Sequence, residues 1–379
     1  MMSTDIQHKI GVGIIGASPN NPGWAVGAHI PAIRKLRDYE LVAVSTSNHE
    51  SAVAAAREFG VSAFDNYKEL IEHPGVDLVV IAVKVPHHYE IARAAIEAGK
   101  MVYSEWPLGM NTKEAEELAK LAESAGVRTI IGLQARFSPA IRYARDLVAD
   151  GYVGEVLSTA LSGTALIWGP ASPSKFDYIY DVNGGATMLV SAGLHAIDGL
   201  IFVLGEYESL VAKLVVRHPE VTLTETGDKL QVTAPDHLAV AGTLTGGALA
   251  TVLYRSGTSR DVDLRWEIVG TKGELVITAD FNGNIQNTEL KLKGGQGEEK
   301  SLHEIDIPER YTAILKDLPE GPARYSNIAQ VYESMAKDIR EGTRLTPDFA
   351  HAVKRHRLYD TIMAASRTGA EQYVDASNE

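Results

Sequence analysis

The chain has no cysteine. Disulfide frameworks, thiolate zinc sites and cysteine nucleophiles are excluded. It also has no excess of positive charge: 36 Lys and Arg face 49 Asp and Glu, a formal net charge of −13. With no Lys/Arg block to offset this, direct nucleic-acid binding through phosphate neutralisation is not expected. No apolar run reaches the roughly eighteen residues that a membrane span requires, and MMSTDIQHKI at the start lacks the apolar centre of a signal peptide. A cytoplasmic protein without a membrane partner is expected. Internal repeats and low-complexity segments are missing too, and 45% hydrophobic residues over 379 positions are enough to fill two cores.

A clean G-x-G-x-x-G is also missing, yet the stretch that most resembles one organises the chain. In Gly11 to Ile33, GVGIIGASPNNPGWAVGAHIPAI, the apolar residues Val12, Ile14 and Ile15 suit a buried parallel strand. Gly16 ends it, Ser18 to Pro22 lengthen the turn, and a helix is expected from near Gly23. Such a junction brings backbone N–H groups and the positive end of a helix to a diphosphate. Gly16, Ala17, Ser18, Gly23, Trp24 and Ala25 are the candidate cofactor residues there.

Strand and helix then alternate. Strands are expected at Leu41–Ser45, Leu78–Val83, Met101–Ser104 and Thr129–Gly132, and helices at 48–59, 67–72, 88–98 and 112–125. This succession argues for a parallel sheet covered on both faces, with ligands at the carboxyl ends of its strands. After a connecting helix at Pro139–Val148 the texture changes. Leu210–Val216, HLAVAGTL, ALATVLYRS, LRWEIVG and GELVITA show β-type alternation, which indicates a largely antiparallel second sheet. Helical periodicity returns at Ser326–Arg340 and Asp348–Ser366.

The end of the second strand commonly presents a carboxylate to the adenosine ribose, which selects NAD. Here the place is Ser45-Thr46-Ser47-Asn48, with no acid to repel a 2′-phosphate. NADP is therefore the first expectation and NAD the second, although Asn48 also suits a helix N-cap.

Ala28-His29-Ile30-Pro31-Ala32, Ser104-Glu105-Trp106-Pro107, Gly184-Gly185, Gly193-Leu194-His195 with Asp198, and the Gly270–Leu275 segment together resemble the glucose–fructose oxidoreductase and inositol dehydrogenase (Gfo/Idh/MocA) family. The resemblance implies a doubly wound Rossmann domain at 8–135. At 136–379 it implies a substrate and oligomerisation domain with an open, mostly antiparallel sheet flanked by helices. It further implies a homo-oligomer, dimer or tetramer, acting on sugars, polyols or related alcohols. The family commonly carries Glu-Lys-Pro and Asp-x-Gly-x-His motifs. Here the lysine position is Trp106, and Ser191 stands four residues before His195. Gly23-Trp24-Ala25, Val83-Lys84-Val85-Pro86 and Asn183 to Leu189 are similar to the subgroup containing the fungal galactose-pathway repressor, a dinucleotide-binding protein that captures an activator.

His195 is the leading candidate for proton transfer, since imidazole titrates near neutrality. Asp198 either orients it or is a structural partner. Lys84 lies at a strand end where ligands bind, as a substitute cation or as a solvated lysine. Tyr180 is either an acid in place of the absent lysine or a packed residue, and Tyr178 stands beside it. The cofactor list continues with Val83, Lys84, His88, Glu105, Trp106, Pro107 and Gln134; the resemblance implies a cis Trp106–Pro107 bond. Arg136 contacts ligand or pairs with a carboxylate. His87-His88 point apart on any regular element and no cluster has zinc-like spacing, so no metal is expected. Three readings follow: an NAD(P)-dependent oxidoreductase of a carbohydrate-like small molecule, a non-catalytic regulator that captures a protein partner, or an NAD-dependent glycoside-cleaving enzyme.

Overall fold

The structure, a computed structural model, describes residues 9–317 and 323–374. Most of the amino-terminal stretch read above for a signal peptide lies outside them, as do the outermost ends of both domain ranges. Two compact units are present: Met1–Leu133 with Ile314–His356, and Gln134–Ala313 with Arg357–Glu379.

The first unit is built on six parallel strands: β1 (Ile10–Ile15), β2 (Tyr39–Ser45), β3 (Ser62–Phe64), β4 (Leu78–Ile81), β5 (Met101–Glu105) and β6 (Thr129–Gly132). Their order, β3-β2-β1-β4-β5-β6, puts the reversal of winding between β1 and β4, the place where dinucleotides cross such sheets. Every residue of β1 and β4 is buried, as near-continuous apolar runs require when helices cover both faces. Gly13 allows the close packing: a Cβ there would sit 2.7 Å from Leu70 Cδ2 and 2.9 Å from Val76 Cγ2.

The segment Ile314–His356 groups with this unit, whereas the division at 135/136 assigns it to the second. On the helix Ala323–Glu341, Tyr332 is fully buried and meets Tyr39 and Tyr103 at ring distances of 5.0 and 5.5 Å. The Tyr39 hydroxyl donates to the Tyr332 carbonyl at 2.7 Å. Helical periodicity shows that such a helix has a buried face but not which sheet it covers.

The second unit carries a nine-stranded sheet in the spatial order 303–304, 291–296, 273–279, 264–270, 156–165, 249–256, 237–244, 207–215 and 372–373. All neighbours are antiparallel except Val156–Ala165 with Leu249–Ser256. Val211, Ala239, Leu249 and Leu253 are exposed on one face. Lys229–Gln231, Glu220–Leu223 and Ala171–Ser172 form a small separate sheet. The helix Leu194–Leu204 is buried over most of its length. No described helix is long and apolar enough to cross a membrane.

Candidate active site

In the first unit the turn after β1 is closed by two amides. Gly16 and Ala17 N–H both donate to the Ser45 carbonyl, at 2.9 and 3.2 Å. Gly16 has φ of +100°, and a Cβ there would lie 2.3 Å from the Ala82 carbonyl oxygen. Only glycine fits this close approach. The helix begins near Gly23 as expected: Trp24 already has helical backbone angles, and a π turn over Ala25–His29 leads into an α turn at Ile30–Ile33. Trp24, at the N-cap, provides no side-chain cap, and no acid lies in the first turn, so the leading amides keep their affinity for an anion. These features fit a dinucleotide diphosphate; Gly16 and Ala17 shape the turn while their own N–H groups stay with Ser45.

At the end of β2 the residues divide. Ser45 and Thr46 are buried. Thr46 donates to the Asn48 carbonyl at 3.1 Å and accepts from Ser51 at 2.8 Å, which corrects its expected role as a ligand donor. Asn48 caps the helix His49–Phe59, its Oδ1 accepting from Ser51 N–H at 2.9 Å. Ser47 is the exposed hydroxyl of this turn.

His88 is also corrected. Its Nδ1 lies 2.7 Å from the Pro107 carbonyl and its Nε2 3.0 Å from the Val83 carbonyl, leaving no ring nitrogen for a ligand. It braces the ends of β4 and β5 against each other. Burial lowers its pKa while the two carbonyls oppose that shift. Lys84 is exposed just beyond β4.

At the end of β5 the Trp106–Pro107 bond is cis. Trp106 is buried, and its ring stands 4.8 Å from that of His356. The position that carries lysine in the family motif is thus filled by a packed indole. Glu105 is held by a residue not singled out in the sequence: fully buried His29 places Nε2 2.9 Å from Glu105 Oε1 and Nδ1 2.8 Å from the Tyr332 hydroxyl. The available signal was the Ala28-His29-Ile30-Pro31 motif.

In the second unit another π turn, Leu189–Gly193, precedes the helix that carries His195. Single π turns are rare and frequent at functional sites. His195 is 5% exposed, and its Nδ1 is buried without a hydrogen-bond partner among the described residues. Burial pushes its pKa down to about 4, against the smaller raising effect of Asp198. At neutral pH it is an uncharged imidazole, not a group poised at its usual 6.5. Ser191 hydrogen-bonds back to the Ala186 carbonyl at 3.3 Å and supplies no carboxylate.

Asp198 is fully buried and takes a two-pronged pair from Arg136, Nε to Oδ2 at 2.8 Å and a terminal nitrogen to Oδ1 at 2.7 Å. The Arg136 guanidinium also lies over the Phe202 ring at 4.9 Å. These two residues form a structural pair. Gln134 is buried, its Oε1 lacking a hydrogen-bond partner among the described residues. Tyr180, read as a candidate acid, is 1% exposed and donates to the Ile167 carbonyl at 2.6 Å. It anchors its loop instead, and burial raises its pKa further from use.

Residues 10–133 match the oxidoreductase family with an NAD-binding Rossmann fold, and residues 139–279 match the C-terminal domain of Gal80p. The galactose/lactose metabolism regulatory protein GAL80 of Saccharomyces cerevisiae is 30% identical over 375 residues, covering 93% of this chain and 82% of its own length. The chain belongs to the Gfo/Idh/MocA family. Dehydrogenase aclE of Aspergillus oryzae, 33% identical over 282 residues, covers 71% of this chain and 77% of its own. The crystal structure of a super-repressor mutant of S. cerevisiae Gal80p matches with a TM-score of 0.86 at 26% identity, over 97% of this chain and 98% of that one. This family member therefore pairs an NAD(P)-binding Rossmann domain with a Gal80-type C-terminal domain, and its similar proteins include both a regulator and a dehydrogenase.

Proposed function

We propose that this family member is a nicotinamide-dinucleotide-dependent oxidoreductase acting on a carbohydrate-like, polyol or cyclic alcohol. The turn from Gly16 to Ala25 would hold the diphosphate, Glu105 the nicotinamide side, and Ser47 the adenosine ribose. With no acid among residues 45–48, a 2′-phosphate meets no repulsion there and NADP is preferred. When bound, the nicotinamide supplies hydride transfer.

His195 carries the reading. Its buried Nδ1 has no hydrogen-bond partner among the described residues, and an unprotonated imidazole can accept a proton, its lowered pKa limiting its strength as a base. It takes the hydroxyl proton of the alcohol. Replacing His195 with Ala should reduce turnover about 10²- to 10⁴-fold and leave cofactor affinity unchanged. Unaltered turnover would remove it from the reaction. The exposed face around Val211, Leu249 and Leu253 supports a homo-oligomer, to be read by sedimentation velocity.

One observation favours a second reading. Trp106 packs against His356 where the family motif has its lysine, consistent with a dinucleotide-binding regulator that captures a protein partner. Tight cofactor binding without turnover of any alcohol or carbonyl compound would favour it.

A further inference from the structure

Three neighbouring strands of the second unit end together. Asp236 N–H donates to the Val215 carbonyl at 3.1 Å, and Ser256 N–H donates to the Asp236 carbonyl at 2.9 Å, so the Asp236 backbone is fixed from both sides. Its carboxylate is 2% exposed and has about four acceptor directions. Two are filled by backbone: Arg217 N–H at 2.7 Å and His218 N–H at 2.9 Å. The other two face imidazoles, His218 Nδ1 at 2.7 Å from Oδ2 and His237 Nδ1 at 3.0 Å from Oδ1. The ligand atoms of the three residues lie within 4.8 Å of one another, and the Ser256 hydroxyl stands 3.1 Å from His218 Nδ1.

We propose that His218, Asp236 and His237 bind a divalent transition-metal ion of the zinc, cobalt and nickel class. Two imidazole nitrogens and a carboxylate whose ligand atoms lie within 4.8 Å of one another hold either N–H protons or one cation between them. Neighbouring donors separated by 2.7 and 3.0 Å lie inside the roughly 3.3 Å edge of a tetrahedron with bonds of about 2.0–2.1 Å, so an ion would draw the imidazoles slightly away from the carboxylate. Imidazole with carboxylate suits borderline metals, whereas calcium and magnesium take oxygen ligands. The amides on Asp236 are the outer support that orients a ligating carboxylate. Side-chain exposures of 39% for His218 and 30% for His237 leave an entry path.

No metal was expected because no His, Asp or Glu cluster has zinc-like spacing along the chain; His218 stands 18 residues from Asp236, and strand pairing brings them together. The ion would fasten the 216–236 segment at both ends. Within that segment, Thr233 and Ala234 N–H donate to the Tyr180 carbonyl at 3.0 Å each, so metal binding also steadies the loop that carries Tyr180.

The test strips the full-length, tag-free protein with a chelator and titrates it with Zn²⁺, Co²⁺ and Ca²⁺ by calorimetry, with the Co²⁺ absorption spectrum as a second reading. One Zn²⁺ or Co²⁺ per chain is expected, without Ca²⁺ binding. His218→Ala and His237→Ala should each weaken affinity by roughly a hundredfold or more, exceeding the typical loss of an outer partner. Absence of saturable binding, or equal binding in both variants, would overturn the proposal. Should the metal-free variants melt below the parent, X-ray absorption of the Co²⁺-loaded parent decides: two imidazoles are expected, and a spectrum without imidazole scattering refutes the site.

Discussion

Two buried histidines should make this protein sensitive to mild acid. His195 and His356 are 5% and 4% exposed, and burial lowers the pKa of each to about 4. The unfolded chain protonates such groups near 6.5, so between about pH 4 and 6.5 the unfolded state binds more protons and stability falls with pH. The contribution is fully present above 6.5 and is lost as pH drops toward the folded value. Moving from pH 7 to 5 costs about 2 kcal/mol per histidine on this basis. Asp236 and Asp338, where burial raises the pKa but hydrogen bonds together outweigh it and hold it below the usual value, lose their contribution only as pH falls into and below the ordinary carboxylate range and do not obscure this window. The assay is urea unfolding at pH 7 and 5 for the parent, His195→Gln and His356→Gln. Each variant should lose about 2 kcal/mol less than the parent over this interval; identical losses in all three proteins would refute the assignment of neutral, desolvated imidazoles.

Other perturbations separate structural from chemical roles. Arg136→Ala removes the two-pronged ion pair from buried Asp198 and should cost about 3–5 kcal/mol, measured by denaturation, while Arg136→Ala with Asp198→Asn should recover much of it. Tyr180→Phe strands the Ile167 carbonyl, with an expected stability loss of about 1–3 kcal/mol; unchanged kcat in the same variant would support an anchoring role, and a large fall would restore the acid. Gly16→Ala places a methyl 2.3 Å from the Ala82 oxygen at a φ of +100° and should abolish dinucleotide binding, read by nicotinamide fluorescence. Normal binding would mean that the turn relaxes.

The alternation of apolar runs with amphipathic segments made the parallel sheet legible, because a strand buried on both faces, such as Leu78–Ile81, has little choice of residue. Val156–Ala165 was not legible. It sits within the second sheet yet is rich in Ser, Thr and Gly. Buried Thr159 is tolerated there because it donates to the Glu267 carbonyl at 2.7 Å and accepts from Trp266 Nε1 at 2.8 Å, compensation that no local pattern displays. The site divides in the same way. Gly16, Trp24 and His195 follow from motif and residue chemistry. The Arg136–Asp198 pair, the grip of His29 on Glu105 and the cluster at Asp236 arise from contacts between distant segments, and they decide which candidate side chains are already committed.

Enzyme and regulator are separated by titrating the protein with NADPH and NADH under nicotinamide fluorescence, then adding sugars, polyols and cyclic ketones to the bound complex. Tighter binding of NADPH is expected, with its oxidation by a carbonyl compound of this class, lost in His195→Ala. Binding of neither dinucleotide would contradict the reading of the Gly16–Ala25 turn, and binding without oxidation by any compound would contradict the enzyme and leave the regulator.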